Sequence, residues 1–266
     1  MHEESRRAPT VYPEVFAQEY RPYCDAILEA LRALNFYISQ FAKTVVQFDD
    51  ALARLNETLA LEPREDPTRL ANKDLFLHWM ENAGRCGALI VYDFGYACEG
   101  LTHALGRAPP IRDLMNMDLK DKATKLLHEY FKDRKFLRNG AAHVEETFLE
   151  EHTKGGKHAI SDPAVVNAMN AFEGGEDFRS VHGQFAFGGS GGKDIFSGVR
   201  GPRHYLATWQ HKLYELEIGE ATTQKMRDVR DRFFNMFDVL EEKTREIAWA
   251  QRRAATPPTS ATEDPK

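Results

Sequence analysis

Ten apolar residues, Ile27, Leu31, Leu34, Ile38, Phe41, Val45, Phe48, Leu52, Leu55 and Leu59, follow one another at steps of four and three without a break. Such spacing belongs to a helix with one apolar seam and is incompatible with a strand. Pro22 opens this helix at a position where its missing donor costs little. Leu61-Glu62-Pro63 ends it, and Pro67 is expected to keep the next turn out of helix. The predicted helix spans roughly 55 Å at about 1.5 Å per residue. Its seam suits packing along a bundle or against a second copy of the chain, and a coiled-coil scaffold without chemistry would carry the same pattern.

A second helix is predicted from Ala71 to Leu105, with Trp79, Leu89, Ile90, Tyr92, Phe94 and Tyr96 among the glycines Gly84, Gly87, Gly95 and Gly100. Glycine lowers helix propensity, so these positions imply either close approach to the first helix or a kink near Gly95. His78 with Glu81 and Glu99 with His103 lie one helical turn apart. Each is an ion pair or hydrogen bond on a helix surface before it is half of a metal site, because no third ligand accompanies it. Gly106 to Pro110 is a stop. After a short turn, Asp118 is the expected N-cap of a third helix from Leu119 to Leu137. From Lys120 to Arg138 there are seven Lys/Arg against three Asp/Glu in a chain whose net charge is −6. That local excess is either an ordinary solvated face or a surface for a phosphate backbone.

The third helix leads into Arg138-Asn139-Gly140-Ala141-Ala142-His143. Arginine carries a permanent charge on a planar fork of donors that fits a phosphate. Histidine exchanges a proton near neutral pH. The two are nearly sufficient to cleave RNA, whose 2′-hydroxyl supplies the nucleophile. Five positions along a continuous helix turn through roughly 500°, so the side chains converge only if the helix breaks at Asn139-Gly140. Asn-Gly is a good helix terminator. In the bland alternative, Arg138 caps the last carbonyls of its helix and His143 is a satisfied imidazole. Glu145 and Glu146 favour the start of a further helix, from about Ala141 to His152.

The run RNGAAH resembles the signature of the HEPN superfamily: an Arg, four to six residues, then a His, with Asn directly after the Arg. The resemblance covers the six-residue motif and the layout of residues 20–153. It implies a HEPN-like helical bundle and a metal-independent endoribonuclease built as a homodimer, in which two copies of the motif face one another. His143 and Arg138 would be catalytic, with Asn139 a secondary polar contact, and no cofactor or metal is implied. RNA is the implied partner, and Lys132, Arg134 and Lys135 are the candidate RNA-binding cations. Members of the family serve as toxins or defence effectors, so an inhibitory partner protein also follows. Other members only bind nucleotides or proteins, which makes a non-catalytic helical module the alternative.

The expected fold is mainly α, with long antiparallel helices and a small β-hairpin and glycine-rich insert before the last helix. Residues 1–12 read as a loose leader and 13–153 as the helical bundle carrying the motif. Residues 154–218 form the insert, 219–253 the last helix, and 254–266 a disordered tail. Within the insert, Pro163–Phe172 suits a short helix and Phe178–Phe187 a strand. Gly188 to Asp194 fails as a phosphate-binding loop, since Phe187 and Asp194 stand where that loop needs Gly and Ser/Thr. His204 to Ile218 is predicted as a strand pairing with one from the insert, with His204 and His211 facing solvent. Met226, Val229, Phe233, Met236, Phe237, Leu240 and Ile247 form the stripe of the last helix, opposite Arg227, Arg230 and Arg232.

An acidic balance argues against a general nucleic-acid coat. Three cysteines without paired spacing, Cys24, Cys86 and Cys98, fit reduced thiols and neither a disulfide framework nor a zinc site. The N-terminus lacks a signal-peptide core, and no run is long and apolar enough to span a bilayer. The best candidate, Gly87 to Ala97, is interrupted by Asp93. Together these features point to a cytoplasmic protein without membrane contact.

Overall fold

Helix α1, Arg21–Leu59, realises the seam over 39 residues. Ile27, Leu31, Leu34, Phe41, Phe48 and Leu55 are fully buried. The seam is therefore consumed within one chain. The computed structural model describes residues 6–61, 66–142, 197–200, 203–210 and 212–255. The Pro163–Phe172 helix, the Phe178–Phe187 strand, the Gly188–Asp194 loop, His143, His211 and the tail lie outside them.

Helix α2 runs over Pro67–Gly106, so Pro67 begins the helix and does not hold a turn out of it. Proline is tolerated in a first turn because that N–H has no intrahelical partner. Asp66 caps it: Oδ1 accepts from the N–H of Thr68 at 2.7 Å and of Arg69 at 3.3 Å. These two donors hold the Asp66 carboxyl below its usual range. A short helix α3, Pro109–Arg112, precedes α4, Met117–Tyr130. Asp118 lies in the first turn of α4 and is not its cap; the Asn116 carbonyl accepts from Leu119 N–H at 3.2 Å. The predicted third helix is divided. Residues 131–133 form a turn, and α5 spans Arg134–Ala142.

Strands β1, Ser197–Arg200, β2, His204–Trp209, and β3, Lys212–Glu217, make an antiparallel sheet in the order β1-β2-β3. The single strand expected over His204–Ile218 is a hairpin, with Tyr205 opposite Leu216 and Trp209 opposite Lys212. Its turn starts at Gln210, at φ 49°. Consecutive Tyr205, Leu206 and Ala207 are all buried. Successive side chains point to opposite faces, so both faces of β2 are covered, and the alternation of a half-exposed strand is absent.

The last helix is also two: α6, Glu220–Asn235, and α7, Asp238–Ala255. Met236 and Phe237 at the break are fully buried. The carbonyl of Met236 accepts from the Asn116 N–H at 3.3 Å, a bond outside the helical ladder. Arg230 is not on a solvent face either. It is buried, donating to Asn35 Oδ1 at 3.2 Å and pairing with Asp231 at 2.9 Å.

The chain packs as two compact units, and the division falls within α1, α2, α4 and α6. The first unit holds residues 6–35, 97–125 and 230–255 of the described chain. Its core includes Ile27, Leu31, Leu101, Ile111, Phe233 and Phe237. The second unit contains residues 36–96 and the described part of 126–229, and carries the motif helix and the sheet. Within it α1 and α2 are antiparallel: Arg69 Nη2 donates to the Leu59 carbonyl at 2.8 Å, while Gly87 faces Phe41 and Thr44.

Two of the α2 glycines, Gly84 and Gly87, answer to the β2–β3 hairpin and the residue that follows it. A Cβ on Gly84 would lie 2.6 Å from Tyr205 Cδ2 and 2.9 Å from its Cβ. A Cβ on Gly87 would lie 2.7 Å from Ile218 Cδ1, closer than to Phe41 of α1. Gly95 gives its space to the Arg134 side chain, and the helix continues through it. The close approach to α1 is thus one contact among several.

Candidate functional site

Helix α5 is amphipathic, and its buried residues are Arg134, Leu137, Gly140 and Ala141. Their spacing of three and one places them on one face. α5 packs against β2 and β3, while Arg134 of this face lies over Gly95 of α2. Phe136 stacks on Tyr214 of β3, with ring centroids 5.0 Å apart and planes at 14°. Arg85 of α2 donates from Nε to the Ala141 carbonyl at 3.3 Å. The Ala141 carbonyl is thus capped by an arginine of α2.

Arg138 is half-buried. Its guanidinium lies over the Tyr92 ring, 5.6 Å from the centroid, and Nη1 donates to Asn139 Oδ1 at 3.2 Å. Asp93, next along α2, is close enough for the Arg138 charge to pull its carboxyl down, but crowding by the packed chain outweighs this and leaves the pKa raised. Tyr37 of α1 completes the group: burial first, and the Asp93 charge second, push its hydroxyl upward. The guanidinium thus has an aromatic face and a carboxylate from α2 and an amide from α5 around it, and α1 approaches the carboxylate through Tyr37. A cation held over a ring while partly solvated is pre-positioned for an anionic oxygen, since little side-chain freedom is left to lose.

Of the other expected site residues, Lys132 lies exposed in the α4–α5 turn and Lys135 exposed in the first turn of α5. Lys135 and Asn139 are four apart and share a helix face. Arg134 is a correction. It is 4% exposed, fills the space over Gly95, and donates from Nη1 to the Phe131 carbonyl at 3.1 Å. A buried guanidinium cannot reach an RNA backbone, and its role is to fasten the α4–α5 turn to α2.

The break expected at Asn139-Gly140 is not there either. α5 continues through both residues to Ala142, and the chain turns instead at 131–133. His143 is outside the described residues, so its distance to Arg138 does not enter the geometry. Tyr37, Tyr92 and Asp93 were absent from the expected site. The one available signal was Asp93, the sole charge in the apolar run from Gly87 to Ala97.

Among the described residues no group of three or more His, Cys, Asp or Glu is arranged to hold a metal, and no helix is long and apolar enough to cross a membrane. Cys24 and Cys98 are buried and Cys86 is exposed, with burial pushing the Cys24 thiol up to about 11.

Asp93 provides a direct check on this geometry. Replacing Arg138 with alanine removes the charge that lowers the Asp93 pKa, so carboxyl-detected NMR should show Asp93 titrating higher still in Arg138→Ala. A folded-state pKa above the ordinary value of about 3.9 favours folding at low pH. The contribution is complete below that value and is lost as pH rises through the folded pKa. Asp93→Asn should remove this component from the pH–stability curve. An unchanged Asp93 titration in Arg138→Ala would show that the two groups do not interact.

No protein-family model, curated protein or solved structure matches the chain.

Proposed function

We propose that the chain is a HEPN-like, metal-independent endoribonuclease acting on single-stranded or loop RNA in the cytoplasm, as a toxin or defence effector subject to an inhibitory partner. The observation that carries this reading is the guanidinium of Arg138, held over Tyr92 and beside Asn139 five residues before His143. In the reaction the imidazole of His143 takes the 2′-hydroxyl proton, O2′ attacks phosphorus, and the bond from phosphorus to the 5′ oxygen breaks. Protonation of that leaving oxygen falls to an imidazolium, supplied by His143 of the partner subunit in a homodimer whose two motifs meet. Arg138 offsets charge building on the non-bridging oxygens. Asn139 holds Arg138, and Lys132 and Lys135 attract the flanking phosphates.

The products are a 2′,3′-cyclic phosphate and a 5′-hydroxyl. Purified protein is expected to cut RNA in the presence of a chelator and leave those ends. Intact RNA after prolonged incubation with the wild-type dimer would overturn the reading.

A second reading is favoured by the unbroken helix across Asn139-Gly140 and by the engagement of Arg138 with Tyr92. In it the chain is a non-catalytic helical module, and Arg138 is a packing and capping residue. It predicts that expression of wild type and of His143→Ala is equally harmless to the host.

A further inference from the structure

A groove of about 380 Å³ lies between α1 and α2 in the second unit, lined by Gln47, Asp50 and Arg54 on one side and Trp79, Asn82 and Cys86 on the other. Trp79 is 47% exposed, unusual for so large an apolar ring. It is nonetheless braced: Phe76, one turn back, meets it edge to face at 5.4 Å and 76°. A braced, exposed indole is a platform for another flat ring.

The polar rim selects among flat rings. A carboxylate such as Asp50 accepts hydrogen bonds and donates none. Guanine alone among the RNA bases sets two donors, N1–H and the N2 amino group, side by side on its pairing edge. Adenine and cytosine place a ring acceptor beside their amine, and uracil places one donor between two carbonyls. Each of those would set a lone pair against the carboxylate. Arg54 follows Asp50 by four residues on α1, so their Cβ atoms are about 5–6 Å apart. A guanidinium suits the O6 and N7 acceptors of guanine. One base could thus offer donors to Asp50 and acceptors to Arg54 while lying on Trp79. Among the described residues, the side chains of Asp50 and Arg54 make no hydrogen bond or ion pair with each other or with other residues. The negative charge of Asp50 also disfavours a phosphate in the groove itself.

We propose that this groove is a guanine-binding site. It uses none of the residues assigned to cleavage, and binding is read without any reaction, so it stands or falls separately from the ribonuclease reading.

The test is isothermal titration calorimetry on the full chain with GMP, AMP, a 2′-O-methyl oligo(A) RNA carrying one G, which lacks the attacking hydroxyl, and the same RNA without the G. GMP is expected to bind at least about tenfold more tightly than AMP, and Trp79→Ala to weaken GMP by about tenfold, the low-to-middle range for loss of base stacking. Trp79→Phe should retain most of the affinity. Asp50→Asn, which puts a donor where only acceptors stood, should erase the preference for GMP over AMP. If GMP alone matches the G-containing RNA, the occupant is a free guanine nucleotide. If only the G-containing RNA binds tightly, the occupant is a base within a strand. Both outcomes support the site. Equal binding of GMP and AMP by wild type, no saturable guanine binding in either form, or indifference to Trp79→Ala and Asp50→Asn would each overturn it.

Discussion

Alanine at His143 or at Arg138 is expected to lower the rate of RNA cleavage by about 10²-fold or more. A positioned acid or base supplies about 10²–10⁴ in rate, and removing one donor to an anionic transition state costs about 10²–10³. Arg138→Lys should fall between wild type and alanine, because it keeps the charge and loses the planar fork. Thermal unfolding of Arg138→Ala must be compared with wild type, since the guanidinium also packs on Tyr92. A loss of cleavage with an unchanged melting curve identifies chemistry. A joint loss identifies packing. If the active unit is a symmetric dimer whose cleavage step uses both copies of His143, mixing Arg138→Ala with His143→Ala should restore no activity, because every mixed dimer has lost one imidazole. Substantial restoration by mixing would show that one Arg138 and one His143 are enough for a site.

The second large effect concerns the glycine that admits the sheet. Tyr205 is fully buried, and Tyr205→Ala is expected to destabilise the protein by about 3–5 kcal/mol, as for other large aromatics in a core. Gly84→Ala should also destabilise, although alanine is the better helix former by about 1 kcal/mol. The new methyl would sit 2.9 Å from both Cβ and Cγ of Tyr205. Those atoms lie at the base of the side chain, so a rotamer change cannot clear them and the strand itself must shift. Overpacking of this kind costs about 1–3 kcal/mol. Gly100 is the control, since nothing lies within 4 Å of a Cβ placed there. Gly100→Ala should therefore stabilise by about 0.8–1 kcal/mol. Chemical denaturation of the single variants and the Gly84→Ala/Tyr205→Ala double variant measures the coupling. The cost of Gly84→Ala should shrink in the Tyr205→Ala background, where the ring is gone. Strict additivity would show that Gly84 does not owe its identity to Tyr205.

The outline of the helices was legible from local chemistry. The Ile27–Leu59 spacing predicts a long helix and its buried face, and α1 follows it nearly to the residue. The stop at Gly106 to Pro110 and the β-rich hairpin also fall where composition places them. The errors share a cause. Turns at residues 131–133 and 236–237 carry no glycine or proline, so nothing local announces them. Each exists because buried partners are available: Phe94 meets Phe131, Gly95 accommodates Arg134, and Asn116 binds the freed carbonyl of Met236. Conversely, Asn139-Gly140 looks like a terminator and remains helical, because that face of α5 is buried.

For the candidate site, the residue types along the chain single out Arg138 and His143 and the chemistry they would perform. They do not indicate Tyr92 and Asp93, which reach Arg138 from α2, or Tyr37 of α1, which faces Asp93. Nor do they separate Lys135, exposed, from its neighbour Arg134, buried.

What the sequence determined by itself is periodic and local: helix lengths, apolar faces, and a cation and an imidazole a few residues apart. Tertiary structure alone decided which glycine faces which side chain, where two helices break, and which arginine is interior. The physical reason is that a periodic pattern fixes which face of an element is apolar, whereas the fit of one face to another depends on side chains far apart in the chain, and burial free energy at those contacts outweighs local preferences of about 1 kcal/mol.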